Sequence, residues 1–282
     1  MNDAEYVQFL RTVLPRLGLR WQGFRKVRRQ VIKRIKRRLR DLHLADVAAY
    51  LAYLESHPHE WRTLDGYCRV TMSRFYRDPE VFETLRQEVL PALAQLARAQ
   101  QQRQLRCWSI GCASGEEVYT LELLWHLSLL RQFGDVHLHI TATDADSHML
   151  ERARIGRYAW GSVQQLPPDW IAEGFDRHDD WFVVRQAFRD GVCFLEQDIR
   201  QQLPAGRFHL VMCRNLTVTY FVESLQREIL RRIVDCMVPG GILVVGQGEA
   251  LPQDDRHIVA YGRQPCMFRL LSACKPWQSA CQ

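Results

Sequence analysis

SIGCASGEEVYTLEL, Ser109 to Leu123, is the stretch whose reading decides the fold. The apolar run LRCWSI enters it, Gly111 and Gly115 punctuate the turn, and a helical pattern opens at Glu116. A strand that turns on glycine into a helix lets a ligand approach the main chain closely and offers it the unpaired N–H groups of the helix start. Alone, such a turn serves packing in many proteins. It gains meaning from what stands on either side.

Downstream the alternation repeats. VHLHITATD (136–144) precedes a helix from Ser147, FHLVMC (208–213) precedes a helix through Leu230, and GILVVG (241–246) is a further apolar run. Strand and helix in alternation predict a mainly parallel sheet with helices on both faces, an α/β fold of Rossmann-like type. Between Gly156 and Asp198 the pattern breaks into WFVVRQAF and VCFLEQD, which reads as a small inserted antiparallel β-subdomain, 156–198.

The strand ends carry the chemistry. Asp144 closes the second strand, where an acid accepts both hydroxyls of a ribose or, alternatively, caps the next helix. Asp198 follows FLEQD and suits either an adenine amino group or a surface turn. Asn215 ends MCRN, and Pro239-Gly240-Gly241 leads into the last strand. In an open α/β sheet the carboxyl edge is the ligand crevice, and a nucleoside-bearing cofactor accounts for these groups together. There is no GxxxxGK[ST] loop and no GxSxG elbow.

Upstream the texture is helical and basic. The chain carries a formal charge of +6, but WQGFRKVRRQVIKRIKRRLRD holds its Lys/Arg together ahead of the first acid, Asp41. Phe24, Val27, Val31, Ile35 and Leu39 recur at three- and four-residue steps, so a helix gathers them into one apolar stripe and leaves Arg28, Arg29 and Arg37 largely outside it. The expected division is 1–90 as a helical basic domain, 91–104 as a linker through PALAQLARAQQQRQ, and 105–282 as the α/β domain. Nine scattered cysteines, Cys107, Cys193, Cys213 and Cys236 among them, show no CxxC pair and no zinc spacing, so they read as buried thiols with no metal. No apolar run approaches the roughly 20 residues of a membrane span and the start lacks a signal pattern, so the expected compartment is the cytoplasm, without stable membrane insertion.

TMSRFYRD, WSIGCASGEEVYTLEL, TATDADSHMLERARIGRY, FHLVMCRN and VPGGILVVGQGE stand in the order of the corresponding motifs of the chemotaxis receptor methyltransferase (CheR) family, which the chain resembles over nearly its whole length. The resemblance implies a Rossmann-like S-adenosylmethionine-dependent methyltransferase domain with a small helical N-terminal domain and the inserted β-subdomain. It further implies transfer of a methyl group to glutamate carboxylates of a receptor, with S-adenosylhomocysteine as product. Carried over residue by residue, it places Thr71, Ser73 and Arg77 over the cofactor, Glu116 and Asp144 on its amino-acid and ribose portions beside Gly111, and Asp198, Ile199, Asn215 and Leu216 around its adenine and methionine parts. Arg77 and Tyr220 are the implied catalytic residues. The sequence departs from the family pattern at Thr71 and Ser73, at Asp198, at GQGE, and in NLTVTYF, which has one residue more before its Tyr-Phe.

The implied partner is the cytoplasmic domain of a methyl-accepting chemotaxis-type receptor, met by a monomer through Arg28, Arg29 and Arg37. A basic helix could equally serve phosphates, but it lacks interleaved aromatics for base stacking and no Asn-Pro-Pro-Tyr/Phe motif is present, so nucleic acid is not expected. A catalytically silent module that binds adenosylmethionine or a receptor is the alternative from another class.

Overall fold

The computed structural model describes residues 3–252 and 257–271. Its main sheet is built from β1 (Gln104–Ile110), β2 (His137–Asp144), β6 (Val192–Glu196), β7 (Phe208–Cys213), β8 (Met237–Val245), β9 (Ile258–Ala260) and β10 (Met267–Leu270), in the order β6-β2-β1-β7-β8-β10-β9. Strands β6, β2, β1, β7 and β8 run parallel, and β10 is antiparallel to both neighbours. All six residues of β7 are buried, as a strand covered on both faces requires. Because the chain goes from β1 outward to β2 and later returns to β1's other side with β7, the order reverses at β1. The crevice of such a sheet lies there, beyond the carboxyl ends.

The inserted element is a three-stranded antiparallel sheet, β3 (Arg157–Ala159), β5 (Trp181–Val184) and β4 (Phe175–His178), in that order. The expected insertion, 156–198, reached too far. VCFLE forms β6, which pairs parallel with β2 from Ile140↔Val192 to Asp144↔Glu196 and so belongs to the main sheet. As an edge strand it leaves Cys193 exposed, and Cys236 is only half-buried, whereas Cys107 and Cys213 are buried as expected.

The chain separates into two compact units, Met1–Thr71 with Thr217–Arg227, and Met72–Leu216 with Glu228–Gln282. This differs from the division at 90 with a linker at 91–104. Helices Pro79–Thr84 and Leu90–Ala99 belong to the sheet unit, and the second buries Leu90, Leu93, Ala94 and Ala97. That i, i+3, i+4, i+7 stripe is a packing face, obscured in the sequence by the polar residues between and after its members.

The helical unit contains the basic helix, Arg28–Asp41, whose Val31, Ile32, Ile35 and Leu39 are buried while Arg29, Lys33, Lys36, Arg37 and Arg40 are exposed. Two of its cations serve the fold. Arg34 donates to the Tyr67 and Arg69 carbonyls at the end of helix Glu60–Cys68, and Arg38 grips Glu60 with Nε (2.8 Å) and Nη2 (2.6 Å). Glu60 is fully buried, and the Tyr50 hydroxyl also donates to it at 2.8 Å. Burial alone would raise the Glu60 pKa, but the Arg38 fork and the Tyr50 hydroxyl outweigh it and hold the carboxyl below its usual range.

Glu60→Gln is expected to destabilise the helical unit by about 3 kcal/mol at neutral pH, because it unpairs a buried charge network. A depressed folded pKa contributes stability that is full above the unfolded value of about 4.3 and is lost as pH falls through the folded value. The difference in denaturation midpoint between wild type and variant should therefore be largest near pH 7 and shrink below about pH 4, measured by circular dichroism.

Candidate active site at the carboxyl edge of the sheet

The turn after β1 is shaped from below and from the side. The N–H groups of Gly111 and Cys112 both donate to the Thr143 carbonyl, at 2.8 and 3.1 Å. Gly111 has φ +68°, and a Cβ there would stand 2.8 Å from Leu216 Cδ2, so glycine is required for conformation and for space. Ala113 is also left-handed, at φ +48°, and its N–H donates to Asp144 Oδ2 at 2.9 Å. Asp144 Oδ1 accepts the Asp146 N–H, while Asp146 itself caps the helix Ser147–Ile155 by accepting from His148 and Met149. The capping alternative for Asp144 therefore falls away. Glu116, at the start of helix Glu116–Leu124, is buried and accepts the Ser114 hydroxyl at 2.9 Å.

In the segment RFYRD, 74–78, the last four residues have different tasks. Phe75 is fully buried in the core of the inserted sheet, edge-on to Tyr158 (4.8 Å) and Phe175 (5.3 Å), and its N–H donates to the Ser162 carbonyl. Tyr158 in turn donates its hydroxyl to the Ser114 carbonyl, so the insertion supports both the segment and the glycine turn. Tyr76 has φ +53°, donates its N–H to Thr120 Oγ1 and stacks on Phe82. Asp78 has φ +62° and forms an ion pair with Arg214 at 2.5 Å. Between them Arg77 donates Nη1 to the Met72 carbonyl at 3.0 Å, and among the described residues no carboxylate pairs with it. Asp78 is held by Arg214 and not by its neighbour Arg77.

Arg214 and Glu249 were not among the residues singled out from the sequence. Arg214 follows β7; its side chain is 4% exposed and it binds Asp78, Glu117 (3.0 Å) and the Arg77 carbonyl (2.9 Å). Glu117 also accepts the Ser109 hydroxyl. The signal was present in MCRN, a charged residue inside an otherwise apolar run, which must find buried partners. Glu249, of GQGE, accepts the N–H groups of Asn215 (3.0 Å) and Gly246 (2.6 Å), and so supports Asn215 at φ +53°.

At the β6 end Asp198 pairs with Arg200 at 2.5 Å, and Ile199 is buried. The sheet unit thus brings Gly111, Glu116, Asp144, Asp198, Ile199, Asn215 and Leu216 to one edge of the sheet, together with Ser73 and Arg77 in the same unit. Thr71 and Tyr220 fall in the helical unit, where Tyr220 packs edge-on to Phe24 at 5.1 Å and its carbonyl accepts the Arg20 N–H. Of the three arginines expected to meet a partner, Arg29 and Arg37 are exposed, but Arg28 is ion-paired with Asp3 at 3.1 Å. Among the described residues no cluster of three or more His, Cys, Asp or Glu has metal-binding geometry.

A family model described as CheR methyltransferase, SAM binding domain, matches residues 71–264, and a second, CheR methyltransferase, all-alpha domain, matches residues 26–64. The chemotaxis protein methyltransferase of Escherichia coli (strain K12) is 30% identical over 271 residues, covering 93% of this chain and 90% of that one. An uncharacterized 104.1 kDa protein in hypE 3'region of Rhodobacter capsulatus is 32% identical over 223 residues; these are 79% of this chain but only 23% of that much longer protein. Among solved structures, N-methyltransferase NodS from Bradyrhizobium japonicum aligns over 70% of this chain and 100% of that one at 15% identity and a TM-score of 0.36.

Replacing Arg214 with Met should leave Asp78 and Glu117 facing each other without their shared cation and lower stability by about 3 kcal/mol. Asp78→Asn in the same chain should recover part of that loss, since the repulsion goes with one of the charges. Urea denaturation of both single variants and the double variant measures this coupling; strictly additive effects would reject it.

Proposed function

Because the chain belongs to the CheR methyltransferase family, we propose that it transfers the methyl group of S-adenosylmethionine to glutamate side chains in the cytoplasmic domain of a chemotaxis-type receptor, giving glutamate methyl esters and S-adenosylhomocysteine. The observation that carries the acceptor is Arg77. Its guanidinium stands in a segment fixed on both sides, with only a backbone carbonyl as partner among the described residues, and its planar fork fits a carboxylate.

The chemistry of the carboxyl edge suits the cofactor. Glu116 and Asp144 put acids at the helix start and at the end of β2, where a cationic amino-acid tail and a ribose need acceptors, and Asp198 with Ile199 offers an acceptor beside an apolar surface for adenine. Gly111, Asn215 and Leu216 fill out the cofactor's surroundings in this reading, with Thr71 and Ser73 contributed from the segment before Arg77. When bound, the cofactor supplies a methyl group already activated on a sulfonium. The chain's own task is then positioning. A glutamate side chain, with an unperturbed pKa of about 4.3, is ionised at neutral pH and requires no general base. Nor does the turn supply a competing nucleophile, because burial pushes the Cys112 thiol well above its usual pKa. Arg77 holds one carboxylate oxygen and aims the other, and Tyr220 hydrogen-bonds the same group.

For recognition, the exposed Arg29 and Arg37 faces of the basic helix attract the acidic helices of a receptor, with Arg28 contributing less because Asp3 neutralises it. Among the described residues no helix is long and apolar enough to cross a membrane. In this reading the chain acts in the cytoplasm as a monomer and does not bind nucleic acid.

Incubating the chain with a receptor cytoplasmic domain and isotope-labelled cofactor should yield base-labile methyl esters on glutamates, located by mass spectrometry. Arg77→Ala should lower turnover by about 10²-fold at saturating receptor and cofactor while leaving the denaturation midpoint unchanged, and lysine should rescue it poorly. Near-normal turnover in Arg77→Ala would remove the residue from the chemical step. Separately, Arg29→Glu with Arg37→Glu should raise KM for the receptor, with little change in kcat, and should flatten the fall of kcat/KM with ionic strength. Identical salt dependence in wild type and variant would reject the electrostatic contact.

A further inference from the structure

At the amino-terminal edge of the main sheet, opposite the crevice, a second concavity of about 410 Å³ is lined by Gln102, Arg103, Gln104, Arg106, Arg207 and Val238. These residues enter from the starts of β1, β7 and β8, roughly 20 Å along the strands from the glycine turn. Three arginines face one hollow, and no acid is among its lining residues. Asp135, whose carboxylate feels the Arg103 charge, is itself held by Arg98.

Two of the arginines, Arg106 and Arg207, are oriented by contacts, and Arg103 is exposed beside them. Arg106 donates Nη2 to the Ala205 carbonyl (3.3 Å), lies over the Phe208 ring at 5.4 Å, and has a buried Nε without a partner. Gly206, at φ +107°, makes room for it, since a Cβ at that position would collide with the Arg106 guanidinium. Arg207 donates Nη1 to the Met237 carbonyl at 3.2 Å. Each guanidinium keeps further N–H donors for a ligand. Three cations that line one hollow and keep unused donors suit a multivalent anion, and guanidinium forks fit phosphate oxygens two at a time. The volume lies in the range of small-molecule sites, and the Gln102 and Gln104 amides can meet the neutral part of such a molecule.

We propose that this pocket binds a phosphorylated small molecule of about the size of a nucleoside monophosphate, at a site separate from the methyltransferase crevice. Isothermal calorimetry on the full chain, at constant ionic strength, tests it with guanosine monophosphate and inorganic phosphate as probes. The nucleotide should bind saturably with one site and at least 10-fold more tightly than phosphate. Arg103→Glu with Arg207→Glu should weaken nucleotide binding at least 10-fold while the affinity for S-adenosylhomocysteine stays unchanged, which reports an intact sheet. Arg29→Glu with Arg37→Glu, on the basic helix, should leave nucleotide binding as it was. The proposal is overturned by no saturable nucleotide binding, by equal affinity for phosphate and nucleotide, or by equal nucleotide affinity in wild type and the Arg103/Arg207 variant. Loss of binding in the Arg29/Arg37 variant would overturn it too, by moving the site to the helical unit.

Discussion

A buried guanidinium is tolerated only where anions and backbone acceptors replace its water, and Arg214 is placed on that condition. Its two acidic partners come from different parts of the sheet unit: Asp78 from the segment 74–78, Glu117 from the first turn of the helix after the glycine turn. The same side chain takes the Arg77 carbonyl. The end of β7, the helix start and that segment are tied at one point. Arg214 thus holds the carbonyl of residue 77 and the carboxylate of residue 78, and the Arg77 side chain between them keeps guanidinium donors beyond the one given to the Met72 carbonyl.

That constraint also explains where backbone strain collects. Among the described residues seven non-glycine residues have positive φ, and four of them, Tyr76, Asp78, Ala113 and Asn215, stand along the carboxyl edge. A left-handed conformation at such residues costs about 1–2 kcal/mol each. Each is compensated by one directed contact, from Thr120, Arg214, Asp144 and Glu249 respectively. Unfavourable conformations concentrated beside one crevice, and individually braced, are what a preorganised site requires.

The parallel sheet and the glycine turn were legible because strand and helix have different periods and because central strands are apolar throughout. The amphipathic basic helix was legible for the same reason, its buried stripe recurring as a helix demands. What escaped is instructive. The helix at Leu90–Ala99 reads as a connection because Gln95 and Arg98 stand among its exposed residues and a polar run follows it, and a count of polar residues does not see which face they occupy. VCFLE was assigned to the insertion because a strand's sequence does not say which sheet it joins; only its register with β2 decides that. Arg214 reaches partners 97 to 137 positions away, and Glu249 holds Asn215 across 34. No local pattern encodes such partners. Asp144 occupied the expected strand end, yet the neighbour that takes over its alternative task, Asp146, is separated from it by one residue in a run where both acids look equivalent.

The helical unit is not a contiguous stretch of chain: Thr217–Arg227 belongs to it, although the residues on both sides belong to the sheet unit. Leu19 bridges Phe221, the Val222 N–H donates to the Gly18 carbonyl, and Gly23 leaves space that the Thr219 carbonyl occupies. A genetic exchange that cut the coding sequence after residue 71 would deliver the helices without this returning segment and expose the surface it covers. The two units are therefore inherited most easily as one piece, and substitutions on either side of that seam must be compensated across some 200 residues of sequence, as Arg20 and Thr219 illustrate with a separation of 199.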